Sequence, residues 1–197
     1  MQRLSDIALI AQVVTLGSER AFGQLVRAHQ EAVRRFLLRL TTGDEMRADD
    51  LAQETFIRAW QGLSSFRQLA GFETWLLRIA YRVFLDDERK EKAHPTFNPE
   101  TSSNSPKGDP NTLSLEKGQE AMNDEGQTET FSLHYDLDQA LSTLSETERT
   151  CVVLQCVQGQ SIREIAQIMS LPENTVKSHL LRGKKNLASY LRRNGYC

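Results

Sequence analysis

The segment at 161–187, SIREIAQIMSLPENTVKSHLLRGKKNL, decides the fold of the C-terminal part of the chain. Its apolar residues recur at helical spacing on both sides of a Ser-Leu-Pro turn at 170–172. Ser161 is a typical N-cap residue, and Glu164 three residues later completes the pattern of a capping box. Two helices joined by about four residues, with the small Ala166 near their crossing, predict a helix-turn-helix.

The second helix of this motif, expected to begin at Asn174 or Thr175, has the residue types of a DNA-contacting helix. In a helix-turn-helix, this helix enters the major groove with its N-terminal half on the base edges. The segment at 174–197 holds six Lys or Arg residues and no acid. Hydroxyl, guanidinium and apolar side chains contact bases, whereas ammonium groups hold phosphates. The base-contact candidates are Ser178, Leu181 and Arg182, and the other DNA-contact candidates are Ser161, Arg163, Thr175, Lys177, Lys184 and Lys185.

A polar linker separates this motif from the rest of the chain. Residues 93–132 contain two basic and seven acidic residues and few apolar ones. Such a segment cannot bury enough surface to offset its ordering entropy, so residues 94–132 are predicted to be a flexible acidic linker. Residues 133–197 form a C-terminal helical domain, in which Ser145 caps a helix and Glu148 completes a second capping box. The tether lets the two domains sit apart or fold together.

Residues 1–93 show helical periodicity almost throughout and predict a bundle of about four helices. The fold class is therefore all-α, with two small helical domains. Ser18 is a plausible N-cap. His29 lies on an apolar face, which indicates that it is a core residue rather than a catalytic one. The loop around Phe66 is expected to expose that ring. Interleaved acids and bases in the segment DDERKEK at 86–92 predict a salt-bridged helix end rather than a metal site.

The combined motifs resemble extracytoplasmic-function sigma factors of bacterial RNA polymerase. Region four of that family is similar to LSTLSETER at 141–149 and to the helix-turn-helix segment. Region two is similar to AFGQLV at 21–26, DLAQETFIRAW at 50–60 and FETWLLRIAYR at 72–82. The resemblance covers nearly everything except the linker, and the two sets of motifs occur in the family's order. Three departures are Arg82, where the family often has Asn, His179, where it commonly has Arg, and Gly183, where Ala is commoner and where we expect a close helix crossing.

The resemblance implies a non-enzymatic protein that binds core RNA polymerase and promoter DNA. It implies that the helix at 50–60 docks on the clamp helices of the polymerase, with contact candidates Asp49, Asp50, Gln53, Glu54 and Arg58. It implies that the loop and helix at 66–89 recognise the -10 element, with candidates Phe66, Arg67, Trp75, Arg78, Tyr81, Arg82 and Arg89. The helix-turn-helix would recognise the -35 element, and an anti-sigma factor would block these surfaces.

Composition and motifs argue against several other classes of function and leave a few alternatives open. Charged residues make up 25% of the chain and the net charge is -2, so the basic stripe is local. An odd number of cysteines, three, predicts reduced thiols in a cytoplasmic protein. We find no signal peptide, membrane span, catalytic motif, metal site or cofactor motif in the sequence. The alternatives are a stand-alone helix-turn-helix regulator, an all-α enzyme with a DNA-binding tail, and a hairpin whose basic face is merely solvated.

Overall fold

The computed structural model describes residues 2–67, 71–93 and 136–196, and within those ranges every regular element is a helix. This confirms the all-α fold class. The predicted linker at 94–132 lies outside the described residues. The N-terminal helices are α1 (Gln2–Leu16), α2 (Glu19–Leu40), α3 (Glu45–Gly62), a 3-10 helix (Leu63–Ser65) and α4 (Phe72–Ala93). The C-terminal helices are α5 (helical at 136–142), α6 (Glu146–Cys156), α7 (Ile162–Met169) and α8 (Glu173–Arg193).

Local sequence signals set the helix starts. The side chains of Ser18 and Ser145 accept hydrogen bonds from the backbone three residues on, and Ser161 forms the complete capping box with Glu164. The second predicted capping box is wrong in one respect, because the Glu148 carboxylate contacts Arg182 instead. The start of α8 also differs from prediction. Pro172 occupies the N-cap position, and its fixed φ suits the entry into a helix one residue earlier than expected.

The N-terminal bundle packs around the apolar faces of α2, α3 and α4. Phe36, Leu37, Leu76 and Leu77 are completely buried, and each large apolar side chain contributes roughly 1.5–3 kcal/mol by leaving water. His29 is confirmed as a core residue, since it is buried and its Nε2 lies 3.2 Å from Asp6 Oδ2 of α1. This contact joins α1 to α2.

An ion-pair network fixes α3 against the C-terminal end of α4. Arg47 at the start of α3 contacts three carboxylates, those of Asp87 and Glu88 at 2.7 Å and that of Glu91 at 3.1 Å. Arg58 near the end of α3 lies 2.8 Å from Asp86. The predicted salt-bridged helix end is therefore confirmed, although most of its partners come from α3 rather than from the helix itself.

The C-terminal helices cross closely at Gly183. A Cβ atom at this position would lie 2.8 Å from Val152 Cγ2 and 3.3 Å from the Glu148 carbonyl oxygen. No ordinary side chain fits there without movement of α6 or α8, so the expected close crossing is confirmed. Cys151 and Cys156, the cysteines of the described residues, are unpaired in α6.

The two halves of the molecule fold together, with α2 against α6 and α4 against α7. The Arg149 guanidinium joins three helix ends, donating to the carbonyl oxygens of Leu40 at 2.8 Å, Leu141 at 3.1 Å and Leu144 at 3.4 Å. Burial lowers the pKa of Arg149, which reflects the dry environment of the contact. The chain therefore adopts the folded-together alternative of the two that its tether allows.

An almost buried ion pair also crosses the boundary between the halves. Arg39 Nη1 lies 2.6 Å from Asp138 Oδ1, and their side chains are only 9% and 15% exposed. Nearby, Gln158 donates to the Ala32 carbonyl oxygen at 3.1 Å, and Thr74 donates to the amide oxygen of Gln160 at 3.2 Å. Polar contacts of this kind fix the angle between the halves, because each has directional geometry.

Candidate nucleic-acid interface

The outward face of α8 is open along its length. Leu181 is 73% exposed, which is unusual for a leucine in a well-packed helix, and it suits contact with a thymine methyl group. Thr175 is the partly buried member of the α8 set. The other predicted residues of this face are exposed, namely Lys177, Ser178, Arg182, Lys184 and Lys185. The structure therefore brings the -35 candidates of α8 together on one accessible surface.

Ser161 and Arg163 lie at the start of α7, beside this surface, and both are exposed. The Ser161 hydroxyl already takes part in the capping box, where it accepts from the Glu164 backbone at 3.3 Å. Its role at this helix start is thus structural in the free chain. Arg163 remains the better phosphate candidate of the two, since its side chain is long and exposed.

Arg182 is held by two neighbours. Its Nε donates to Glu148 Oε1 of α6 at 3.2 Å, and its Nη2 lies 3.1 Å from His179 Nδ1. Sequence reasoning did not identify Glu148 as a neighbour of the base-contact candidates. The available signal was the combination of Gly183, which predicts a close crossing, with an acid on the helix that Gly183 crosses.

The -10 candidates divide into an aromatic cluster and a set of cations. Phe66 packs edge-on against Phe72 and Trp75, with ring centroids 5.8 and 5.4 Å away. The expected exposure of Phe66 is therefore wrong, because the two rings at the start of α4 cover part of it. Arg67, Arg82 and Arg89 are exposed.

Two -10 candidates lie under the C-terminal half. Tyr81 is only 7% exposed, and burial raises the pKa of its phenol to about 12. Arg78 Nη2 lies 3.4 Å from the Ser170 hydroxyl at the end of α7, and its Nε is buried with no hydrogen-bond partner among the described residues. This side of α4 is thus closed to DNA in the folded-together arrangement.

The polymerase candidates lie on the outer side of α3. Asp50 and Gln53 are exposed. Asp49 accepts from Arg34 at 2.6 Å, while Arg58 contacts Asp86 and Glu54, hydrogen bonds that raise its pKa. These three predicted contact residues therefore have intramolecular partners in the free chain.

Two apolar residues on α3 were not predicted as part of a docking surface. Ile57 is 52% exposed and Trp60 is 39% exposed. The Trp60 ring also packs edge-on against Phe22, with the ring centroids 4.9 Å apart. Large apolar side chains left in water beside acids are typical of a protein-binding surface.

Comparison with known proteins identifies both halves. The family model of sigma-70 region 2 matches residues 25–94, and the model of sigma-70 region 4 matches residues 134–187. The fold and the exposed recognition helix thus define the chain as a sigma factor of the sigma-70 class.

The group within that class follows from whole-chain relatives. The chain is 34% identical over 187 residues to the "ECF RNA polymerase sigma factor SigM" of Mycobacterium tuberculosis, covering 95% of this chain and 85% of the relative. It is 29% identical over 179 residues to the "ECF RNA polymerase sigma factor SigW" of Bacillus subtilis, covering 91% and 93%. The chain belongs to the ECF RNA polymerase sigma factor family.

Two solved structures have the same fold. The sigma factor RpoE from Bartonella quintana, in complex with the anti-sigma factor NepR, matches with a TM-score of 0.65 at 23% identity, over 87% of this chain and 96% of that one. CnrH, in complex with the cytosolic domain of CnrY, matches with a TM-score of 0.67 at 24% identity, over 97% and 99%. Across residues 2–67, 71–93 and 136–196, no helix has the length and apolar character needed to span a membrane.

Proposed function

We propose that this chain binds core RNA polymerase, recognises the -10 and -35 elements of its promoters and directs transcription initiation. The observation that carries the proposal is the open face of α8, which carries no acid from residue 174 onward, in a chain that also matches the region-two family model. The protein performs no reaction of its own in this proposal. The protein would act on chromosomal DNA, which implies a cytoplasmic location.

The -35 function rests on the exposed face of α8. Ser178, Leu181 and Arg182 provide a hydroxyl, an apolar group and a guanidinium, which together can distinguish base pairs in the major groove. Ser178 donates to the Asn174 carbonyl at 3.0 Å, so its free lone pairs make it an acceptor for a base amino group. Lys177, Lys184 and Lys185 supply phosphate contacts and make binding strongly dependent on salt.

The -10 function requires a change of arrangement. An unstacked base binds on aromatic platforms, and a separated strand binds along cations. Trp75, Arg82 and Arg89 are at least partly accessible, but Tyr81 is buried, and the half-buried Arg78 lies against Ser170 of the C-terminal half. We therefore propose that the described structure is a closed form, and that the two halves separate when the chain binds polymerase.

The outer side of α3 is the proposed polymerase surface. It combines the exposed Asp50 and Gln53 with the exposed apolar residues Ile57 and Trp60. An apolar centre with a polar rim is the usual composition of a specific protein interface. Arg58 and Glu54 would exchange their present partners for groups on the polymerase.

We also propose an anti-sigma factor as a further partner. One of the two similar solved structures is a sigma factor bound to an anti-sigma factor, and the other is CnrH bound to the cytosolic domain of CnrY. A chain whose halves already fold together gives such a partner a composite surface to hold. Capture would keep Tyr81 and Arg78 covered.

Run-off transcription with core polymerase and a genomic promoter library tests the proposed function. We expect new transcripts that start a short distance downstream of a shared two-part element, only when the chain is present. Absence of such transcripts, with the polymerase shown to work with another sigma factor, would contradict the proposal. A stable dimer that protects a palindrome in the absence of polymerase would favour the stand-alone regulator instead.

A further inference from the structure

We propose that Glu148 is a positioning residue that sets the base specificity of the -35 contact by orienting the Arg182 guanidinium. This inference rests on the proposed function of α8. Glu148 lies on α6, outside the helix that enters the groove, so it acts through Arg182 rather than on DNA. It would favour one base at the position that Arg182 contacts and would leave the other positions unchanged.

The geometry assigns the two residues different tasks. The Glu148 side chain is 12% exposed, while that of Arg182 is 58% exposed. A nearly buried carboxylate thus holds the Nε edge of a guanidinium that extends into solvent. Arg182 has five N–H donors, and its contacts within the described residues use Nε and Nη2. The two terminal nitrogens retain donors, which favours an end-on, bidentate contact with the two acceptors of guanine.

The crossing at Gly183 makes this contact possible. Gly183 follows Arg182 directly, and a Cβ there would lie 3.3 Å from the Glu148 carbonyl oxygen and 3.4 Å from its Cβ. The missing side chain therefore brings the α6 backbone to α8 beside Arg182. Without that approach the Glu148 carboxylate would not reach the guanidinium.

The change in non-specific DNA affinity on loss of the Glu148 carboxylate distinguishes a positioning role from a purely structural one. A carboxylate close to a DNA-binding face repels phosphates, so it opposes non-specific affinity. A first-turn acid of α6 also stabilises that helix through its dipole, and this is the structural alternative. Loss of a structural residue weakens all binding alike. Loss of a positioning residue leaves non-specific binding unchanged or tighter and reduces discrimination at one base pair.

The experiment uses the full chain with core polymerase and promoter duplexes substituted singly at each -35 position. Glu148→Gln removes the charge, Glu148→Asp keeps the charge but shortens its reach, and Glu173→Gln is the matched control, because Glu173 is an exposed first-turn acid of α8. We expect both Glu148 variants to lose about fivefold to tenfold discrimination at one position, the lower end of the roughly 1–3 kcal/mol that a good bidentate contact gives. We expect Glu173→Gln to keep the wild-type profile.

A double-mutant cycle completes the test. Discrimination at that position should fall no further when Glu148→Gln is added to Arg182→Ala, because the two residues act as a unit. A uniform loss at all positions, a profile that matches Glu173→Gln, or additive losses in the cycle would overturn the inference while the proposed function stands. A wild-type chain with no -35 preference would overturn both. Glu148→Asp keeps the helix-dipole interaction, so it remains informative if Glu148→Gln does not fold.

Discussion

The two helices proposed to contact the promoter stand in opposite situations. The base-contact face of α8 is exposed, with Leu181 73% accessible, whereas α4 has Tyr81 buried at 7% under the C-terminal half. One surface is ready for DNA in the free chain and the other is not. In the proposed closed form, separation of the halves, rather than folding of either helix, is the step that would expose this side of α4.

The closed form has opposing contributions to its stability. The Arg39–Asp138 pair and the three carbonyl contacts of Arg149 stabilise it, because all of these groups are largely removed from water. The buried Nε atoms of Arg78 and Arg39, which have no partner in the described part of the chain, each cost about 1–3 kcal/mol. A partner that satisfies Arg78, such as a phosphate, therefore favours opening.

The largest effect should come from Asp138→Asn. Removing one member of a nearly buried ion pair costs about 3–5 kcal/mol, since Arg39 is left without its counter-charge. Separation of the two halves relieves this cost. We therefore expect a larger radius of gyration by small-angle X-ray scattering and more transcription in the run-off assay. Asp136→Asn is the control, because Asp136 lies two residues away and its partner, Tyr196, is exposed. If the Asp138→Asn chain were as compact as the wild type, the Arg39–Asp138 pair would not be what holds the two halves together.

The next effect is on the titration of Tyr81. Burial raises its pKa from 10.0 to about 12 in the closed form. The closed form therefore binds the phenolic proton more tightly, and the stability this gives is complete below pH 10 and is lost as the pH rises from 10 to about 12. Ultraviolet absorbance of phenolate should show a high-pH step that Tyr81→Phe removes. In the Asp138→Asn chain that step should move towards pH 10. If the step did not move when the halves separate, the raised pKa of Tyr81 would not depend on the closed form.

Gly183→Ala tests the packing of α8, the helix whose outward face is exposed. Overpacking against Val152 should cost about 1–3 kcal/mol, partly offset by the roughly 1 kcal/mol that alanine gains over glycine in a helix. Urea denaturation should show a small net loss of stability. Gly23→Ala on α2 is the control, since its Cβ would meet only the end of the Arg27 side chain at 3.9 Å. Equal gains in stability for both variants would show that the crossing at Gly183 can relax.

The smallest effect concerns salt. Lys184→Gln and Lys185→Gln should each lower the slope of log affinity against log salt by about 1, because each removes one phosphate contact. Binding to a -35 duplex, measured by fluorescence anisotropy, gives the slope. Lys90→Gln on the exposed end of α4 is the matched control. A slope unchanged in the α8 variants would place these lysines away from DNA.

The sequence allowed prediction of the features that depend on neighbouring residues. The Ser161 capping box, the exposed basic face of α8 and the close crossing at Gly183 all follow from local spacing and side-chain chemistry. The second capping box failed because Glu148 had a non-local competitor in Arg182. Burial of Tyr81 was also beyond sequence reasoning, since a residue that faces solvent in one domain becomes buried only when the domains pack.

The polymerase surface illustrates the same limit. Trp60 was not among the predicted contact residues of α3, but the bundle leaves it 39% exposed, three residues from the exposed Ile57. Helical spacing gives the direction of a side chain to within a sector, and whether a neighbouring helix covers that sector depends on the tertiary arrangement. The candidates Asp50 and Gln53 were placed correctly on the outer side, and their contact with polymerase stays a prediction.

Hydroxyl-radical footprinting of Tyr81, followed by mass spectrometry, tests the closed form and its opening most directly. The account predicts that Tyr81 is protected in the free chain, becomes oxidised when core polymerase is added, and is protected again when promoter DNA joins the complex. Tyr81 that is oxidised in the free chain, or that stays protected in the polymerase complex without DNA, would contradict the account.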